Sequence, residues 1–150
     1  MNVAAELPID ASKEAIWRVV TDIENAASTI KAIEKVEVLH RPEKGFVGFK
    51  WRETRTMFGS KATEEMWITE AVENEYYIAK AGSHGCDYTS RVAITPKDGK
   101  NYLSMSLEAK TNSLVGRTMM LLMGRLFVPM ARKAFLKDVQ DIKAKVESNY

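Results

Sequence analysis

A single change of periodicity constrains this chain most. Over residues 35–110 apolar and polar side chains alternate, broken by glycine and Asp-Gly turns; beyond Asn112 strand signals stop and helix formers run to the end. Ahead of this block, Val3, Ala5, Leu7 and Ile9 alternate with their neighbours, which predicts an opening strand, and Pro8 puts it at a sheet edge or strand end. Ser12 is placed to cap a helix with Glu14 in its first turn and Ile16, Val19, Val20 and Ile23 at helical spacing. A second short helical piece is expected over residues 25–30. The order is strand, helix, antiparallel strands, long helix.

Two hairpins test that order. Taking Asp98-Gly99 as a two-residue turn sets Ile94 opposite Leu103, Val92 opposite Met105, Ser90 opposite Leu107 and Tyr88 opposite Ala109. The other face then matches Asp87 with Lys110, Thr89 with Glu108 and Arg91 with Ser106, and a one-residue slip would mix the two faces. Taking Gly59-Ser60 as the earlier turn sets Phe58 opposite Lys61, Met57 opposite Ala62, Arg55 opposite Glu64, Glu53 opposite Met66 and Trp51 opposite Ile68. The reverse face, from Lys50, Arg52, Thr54 and Thr56 across to Thr63, Glu65, Trp67 and Thr69, is largely polar, with Arg52 able to stack on Trp67. The Trp51 face is therefore the inner one.

A sheet with one apolar face must be covered, and the last helix is the only large element left to do it. Leu121, Gly124, Val128, Ala131, Phe135, Val139, Ile142 and Val146 recur at steps of three or four, with Asn112 or Ser113 as the cap. Pro129 predicts a kink or break between residues 125 and 129, because its ring removes a hydrogen bond and clashes one turn back. Gly124 and Ala131 thin the stripe opposite a sheet rich in Met and aromatic residues, so a cavity is expected between helix and sheet, unless Met and Trp side chains fill it.

Composition narrows the function classes. The 150 residues suit one domain, residues 1–150, and 45% hydrophobic with 28% charged side chains excludes disorder. A formal charge of +2 argues against nucleic acid as partner. Within that total, residues 111–150 carry seven cations and three carboxylates, which reads as a solvated basic helix face or, more sharply, as a patch for an anionic partner or membrane surface. The most apolar run, residues 114–130, is interrupted by Arg117, Arg125 and Pro129 and is too short to span a bilayer, so stable membrane insertion is not expected. One cysteine, Cys86, excludes an internal disulfide and, with no secretory leader read at residues 1–10, makes a cytoplasmic location the expectation. The run Ser83-His84-Gly85-Cys86-Asp87 lacks a full ligand set and a base positioned for a nucleophilic thiol, and no phosphate loop occurs, so neither a metal nor a cofactor is expected.

The stretches "PIDASKEAIWRVVTDIENAAS", "IEKVEVL", "GFKWRETRTMFGSKATEEMWITEAVENE", "RVAITPKDGKNYLSMSLEAK" and "LLMGRLFVPMARKAFLKDVQDIKAKVE" together resemble the SRPBCC superfamily, also called START-like or birch-pollen-allergen-like, and within it the polyketide cyclase/dehydrase family. The resemblance covers essentially the whole chain. It implies an α+β helix-grip fold, a curved antiparallel sheet wrapped round the C-terminal helix with a deep apolar cavity. It also implies hydrophobic ligands such as lipids, sterols or polyketides, with enzymes among the members. No catalytic motif is shared across such proteins, so none is carried over.

The residues themselves offer candidates. Arg55 and Glu64 form the expected ion pair on the inner face, and Glu53, opposite Met66, is the candidate acid or base, with a raised pKa if buried without a partner. Against this stands a purely structural network closing the sheet at a wet rim. Tyr88 and Ser90 offer inward hydroxyls, and Trp51, Met66, Met105, Leu121 and Val128 are expected apolar walls or simply core. The leading reading is a binding or transport protein for a hydrophobic small molecule; the alternatives are a cyclase or dehydratase using Glu53, and a protein-interaction module with an incidental cavity. The polar outer sheet face disfavours the last.

Overall fold

The computed structural model describes residues 2–57, 59–83 and 86–149. The elements are β1 (Asn2–Ile9), α1 (Lys13–Val20), a 3₁₀ segment (Ile23–Ser28), β2 (Ile33–His40), β3 (Lys50–Met57), β4 (Ser60–Val72), β5 (Tyr76–Ser83), β6 (Cys86–Lys97), β7 (Lys100–Thr111) and α2 (Leu114–Ser148). All seven strands form one antiparallel sheet in the order β1-β7-β6-β5-β4-β3-β2. Pro8 sits in the edge strand β1, where its missing N–H costs no ladder bond on the open side.

Local chemistry accounts for the joints. Ser12 Oγ accepts the Ala15 N–H at 3.1 Å and so caps α1, whose Ala15, Ile16 and Val20 are buried. The short helical piece after it is a 3₁₀ segment that begins two residues earlier than the sequence suggested. The β6–β7 hairpin has the expected register from Tyr88↔Ala109 to Lys97↔Lys100. Asp98 and Gly99 both have positive φ, 54° and 79°, as this turn requires.

The β3–β4 hairpin differs from its sequence reading by two residues. Met57 pairs with Ser60, Arg55 with Ala62, Glu53 with Glu64 and Trp51 with Met66. Met57 and Ser60 flank the turn, and Gly59, at φ 79°, directly precedes β4 rather than following the β3 strand end as the sequence reading had it. Phe58, whose pairing with Lys61 was expected, lies outside the described residues. A two-residue slip leaves every side chain on the expected face, because strand side chains alternate with period two. On the outer face Arg52 does not stack on Trp67; it lies across from Glu65 and bridges Glu37 and Glu65.

α2 lies over β1 and β7. Ser113 caps it, accepting the Gly116 N–H at 3.2 Å. Gly116 is required there, since a Cβ would fall 2.6 Å from Thr111 Oγ1. The helix bends by 75° between Leu114–Leu122 and Leu126–Ser148. Pro129 accounts for this: it cannot donate to the Arg125 carbonyl and its ring crowds that group. Beyond the bend the stripe is as expected, with Ala131, Phe135, Val139, Ile142 and Val146 buried. Before the bend it is not, because a straight helical phase carried across Pro129 points the wrong residues inward. Polar ties fix the far end: Glu147 Oε2 accepts the Asp10 N–H at 2.8 Å, and Asp141 Oδ2 accepts the Lys31 N–H at 3.0 Å.

Candidate functional site

The inner face of the central strands carries short side chains where α2 crosses it. Ala62, Ala79, Ala81 and Ala109 face Ala131 across a gap, and the space they leave is a cavity of about 370 Å³. That is more than twice the roughly 150 Å³ apolar cavity that admits benzene in an engineered core. Val20, Ile23 and Ile30 close one side, and Met120, Phe127, Phe135 and Ile142 of α2 form the roof.

Eight of the residues singled out from the sequence meet at this cavity: Trp51, Glu53, Arg55, Glu64, Met66, Tyr88, Ser90 and Met105. Two do not. Leu121 is 81% exposed, and Val128 is half-buried against the core without lining the cavity. The bend explains Leu121, since Met120 faces the cavity in its place; Val128, beyond the bend, still packs on the core, and its neighbour Phe127 takes the cavity wall.

The expected Arg55–Glu64 cross-strand pairing is corrected by the register. Arg55 Nε donates to Glu53 Oε2 at 2.9 Å, and its NH1 donates to Asp138 Oδ2 of α2 at 3.0 Å. The indole Nε1 of Trp51 approaches Glu53 Oε1 at 3.4 Å. Glu53 is thus not the carboxyl opposite Met66 that the sequence suggested; it has a guanidinium on one oxygen and Glu64 across the strand. Burial pushes the Arg55 pKa down, but the charges of Glu53 and Asp138 outweigh it and leave the guanidinium above its ordinary value.

Asp138 is the residue the sequence reading passed over. It is 1% exposed, and its Oδ1 is buried without a hydrogen-bond partner. Burial holds its pKa above the ordinary carboxylate value, opposed by the Arg55 guanidinium and reinforced by Glu53 and Asp141. A signal was present: Asp138 lies three residues after Phe135 and seven after Ala131, a carboxylate on an apolar stripe. Tyr77 was passed over too, and alternates with Ala79 and Ala81 on the cavity face. Its ring stands edge-on to Trp17 and Phe46, and burial, then the Glu53 charge, push its phenol pKa up. Tyr88 is also raised, by burial and by the neighbouring Cys86 and Glu64.

The sign of the Asp138 shift makes a testable difference. A carboxyl raised in the folded state contributes stability below its unfolded pKa of about 3.8 and loses it as pH rises through the folded value. Asp138→Asn cannot ionise, so its melting temperature relative to the parent should climb from pH 4 to pH 8. Thermal unfolding of both proteins across that range checks this; a constant difference contradicts it.

Of the Ser83–Asp87 cluster, His84 and Gly85 lie outside the described residues. Among the described residues no three His, Cys, Asp or Glu side chains gather as a metal site.

Comparison with known proteins agrees with this fold. The model of a family described as polyketide cyclase/dehydrase and lipid transport matches residues 1–147. No curated protein matches the sequence. Among solved structures, TTHA0849 from Thermus thermophilus superposes with a TM-score of 0.80 at 17% identity, covering 99% of each chain. A START superfamily protein from Mycobacterium smegmatis does so at 0.79 and 17%, again over 99% of each chain. The Zhui aromatase/cyclase from Streptomyces sp. R1128 follows at 0.74 and 12%, over 99% of this chain and 94% of that one. At these identities the likeness is one of fold.

Proposed function

Because the chain belongs to the polyketide cyclase/dehydrase and lipid transport family, we propose that it binds and carries a hydrophobic small molecule in the cavity between sheet and C-terminal helix. The observation that carries this reading is the cavity itself, about 370 Å³ with walls mainly of Trp, Met, Ala, Phe and Ile side chains. Pockets of this size and character are ordinary small-molecule sites. Tyr77, Tyr88 and Ser90 line the same space, and hydroxyl-bearing side chains there suit a ligand with one or two oxygen acceptors. The guanidinium of Arg55 is engaged by two carboxylates, which makes a free acid a poor match and a neutral lipid-like or polyketide-like molecule a better one. A cytoplasmic setting accords with a chain that has one cysteine and so forms no internal disulfide.

A second reading, an enzyme of the cyclase or dehydratase type, is favoured by one feature. The Glu53–Arg55–Asp138 group combines a carboxylate held by a cation with a second carboxyl that burial keeps readily protonated, and such pairing suits acid–base work.

Native mass spectrometry of the purified protein, followed by solvent extraction, tests the first reading. An apolar compound recovered unchanged in about one-to-one ratio is the expected result. A protein that stays empty with every lipid and polyketide offered would overturn it, and a compound converted on incubation would favour the enzyme.

A further inference from the structure

The arm of α2 around the bend carries an apolar face with nothing over it. Leu114, Val115, Leu121 and Leu122 lie before the bend at spacings that put them on one side of the helix. Leu126 lies just beyond it, and all five are 72–81% exposed. Met130 follows at 49%. Soluble chains seldom leave so much large apolar surface together without a use for it.

The charge around this face has one sign. From Thr111 to Leu136 the sequence has Arg117, Arg132 and Lys133 among its cations and no carboxylate, while Lys137, the next cation, is paired with Asp141 at 2.7 Å. A second copy of the chain seated on the same face by a two-fold axis would bring these cations against their equals. An anionic lipid surface meets both demands at once, taking the leucines among its acyl chains and the cations at its headgroups. No single helix among the described residues is long and apolar enough to cross a membrane; Leu114–Leu122 and Leu126–Ser148 reach that length only together, and the 75° bend between them and the burial of Phe135, Val139, Ile142 and Val146 on the sheet leave the arm to lie on the surface.

We propose that residues 114–133 form a docking face for anionic phospholipid bilayers. The assignment goes beyond the ligand reading and does not depend on it, since the exposed side chains are not those that line the cavity. It bears on ligand exchange all the same: Met120 and Phe127, in the same stretch of helix, face the cavity.

Co-sedimentation of the purified protein with vesicles tests it. Vesicles of phosphatidylcholine with about a third phosphatidylserine should carry the protein down at low salt, and phosphatidylcholine alone should retain several-fold less. Binding should weaken as salt rises and the screening length falls below about 10 Å. Leu121→Asp with Leu122→Asp, both at exposed positions that leave the core intact, should cut binding at least tenfold. Arg132→Glu with Lys133→Glu should remove the preference for phosphatidylserine. Three results would overturn the proposal: no sedimentation of the parent protein, equal binding by the leucine variant, or a parent dimer in solution that the leucine variant converts to monomer. The last would assign the face to a second copy.

Discussion

Arg55→Met should destabilise the fold by about 3–5 kcal/mol at neutral pH, the usual cost of breaking a buried ion network from one side. The substitution keeps much of the volume but leaves Glu53 and Asp138 facing each other in an apolar setting with their shared cation gone. The loss should shrink as pH falls, because protonating Asp138, which burial already favours, removes part of the uncompensated charge. Urea denaturation at pH 7 and pH 4 checks both parts. A companion variant with Glu53→Gln and Asp138→Asn added to Arg55→Met should recover much of the stability, since no buried charge remains. A loss of under about 1 kcal/mol in the single variant would mean that water reaches the network and that it is a rim feature.

Ala131→Phe should abolish ligand binding while leaving the protein folded. Ala131 is 1% exposed and faces the cavity, so a ring placed there projects into empty space rather than into packed atoms. Overpacking ordinarily costs about 1–3 kcal/mol, and adjoining void should bring the cost to the low end. Any apolar compound that co-purifies with the parent should fall at least tenfold in the variant, read by the same native mass spectrometry. Retention of the compound with an unchanged melting temperature would place the ligand elsewhere.

Much of the fold was legible because local rules were strict. The β6–β7 register followed from Asp98-Gly99, whose backbone demands admit few alternatives, and from faces that clash on a one-residue slip. The β3–β4 register did not follow, since Gly59 fits either position of a two-residue turn and a slip of two preserves the faces. That slip hid the chemistry. Faces are a property of one strand, but which charges meet depends on register and on what the helix brings. Asp138 arrives from α2, 83 residues from Arg55, and no pattern within β3 could announce it. Leu121 was misplaced for a related reason: a helical stripe can be extrapolated only while the axis is straight, and the bend before Pro129 ends that; Val128 keeps its place on the stripe and yields only the cavity wall to Phe127.

The strand order has a consequence for how the molecule is made. Among the described residues β1 pairs with β7 alone, so this strand waits for the seventh and last strand of the sheet, about a hundred residues later. At roughly 5–20 residues per second the interval is about 5–20 s. Throughout it Val3, Ala5 and Ile9, all buried in the finished fold, have neither their strand partner nor the helix that covers them. β2 to β6 can meanwhile zip as successive hairpins. Nascent chains arrested before Lys100 should therefore hold a largely formed meander with an unpaired, sticky β1, and that strand is where a chaperone would find purchase.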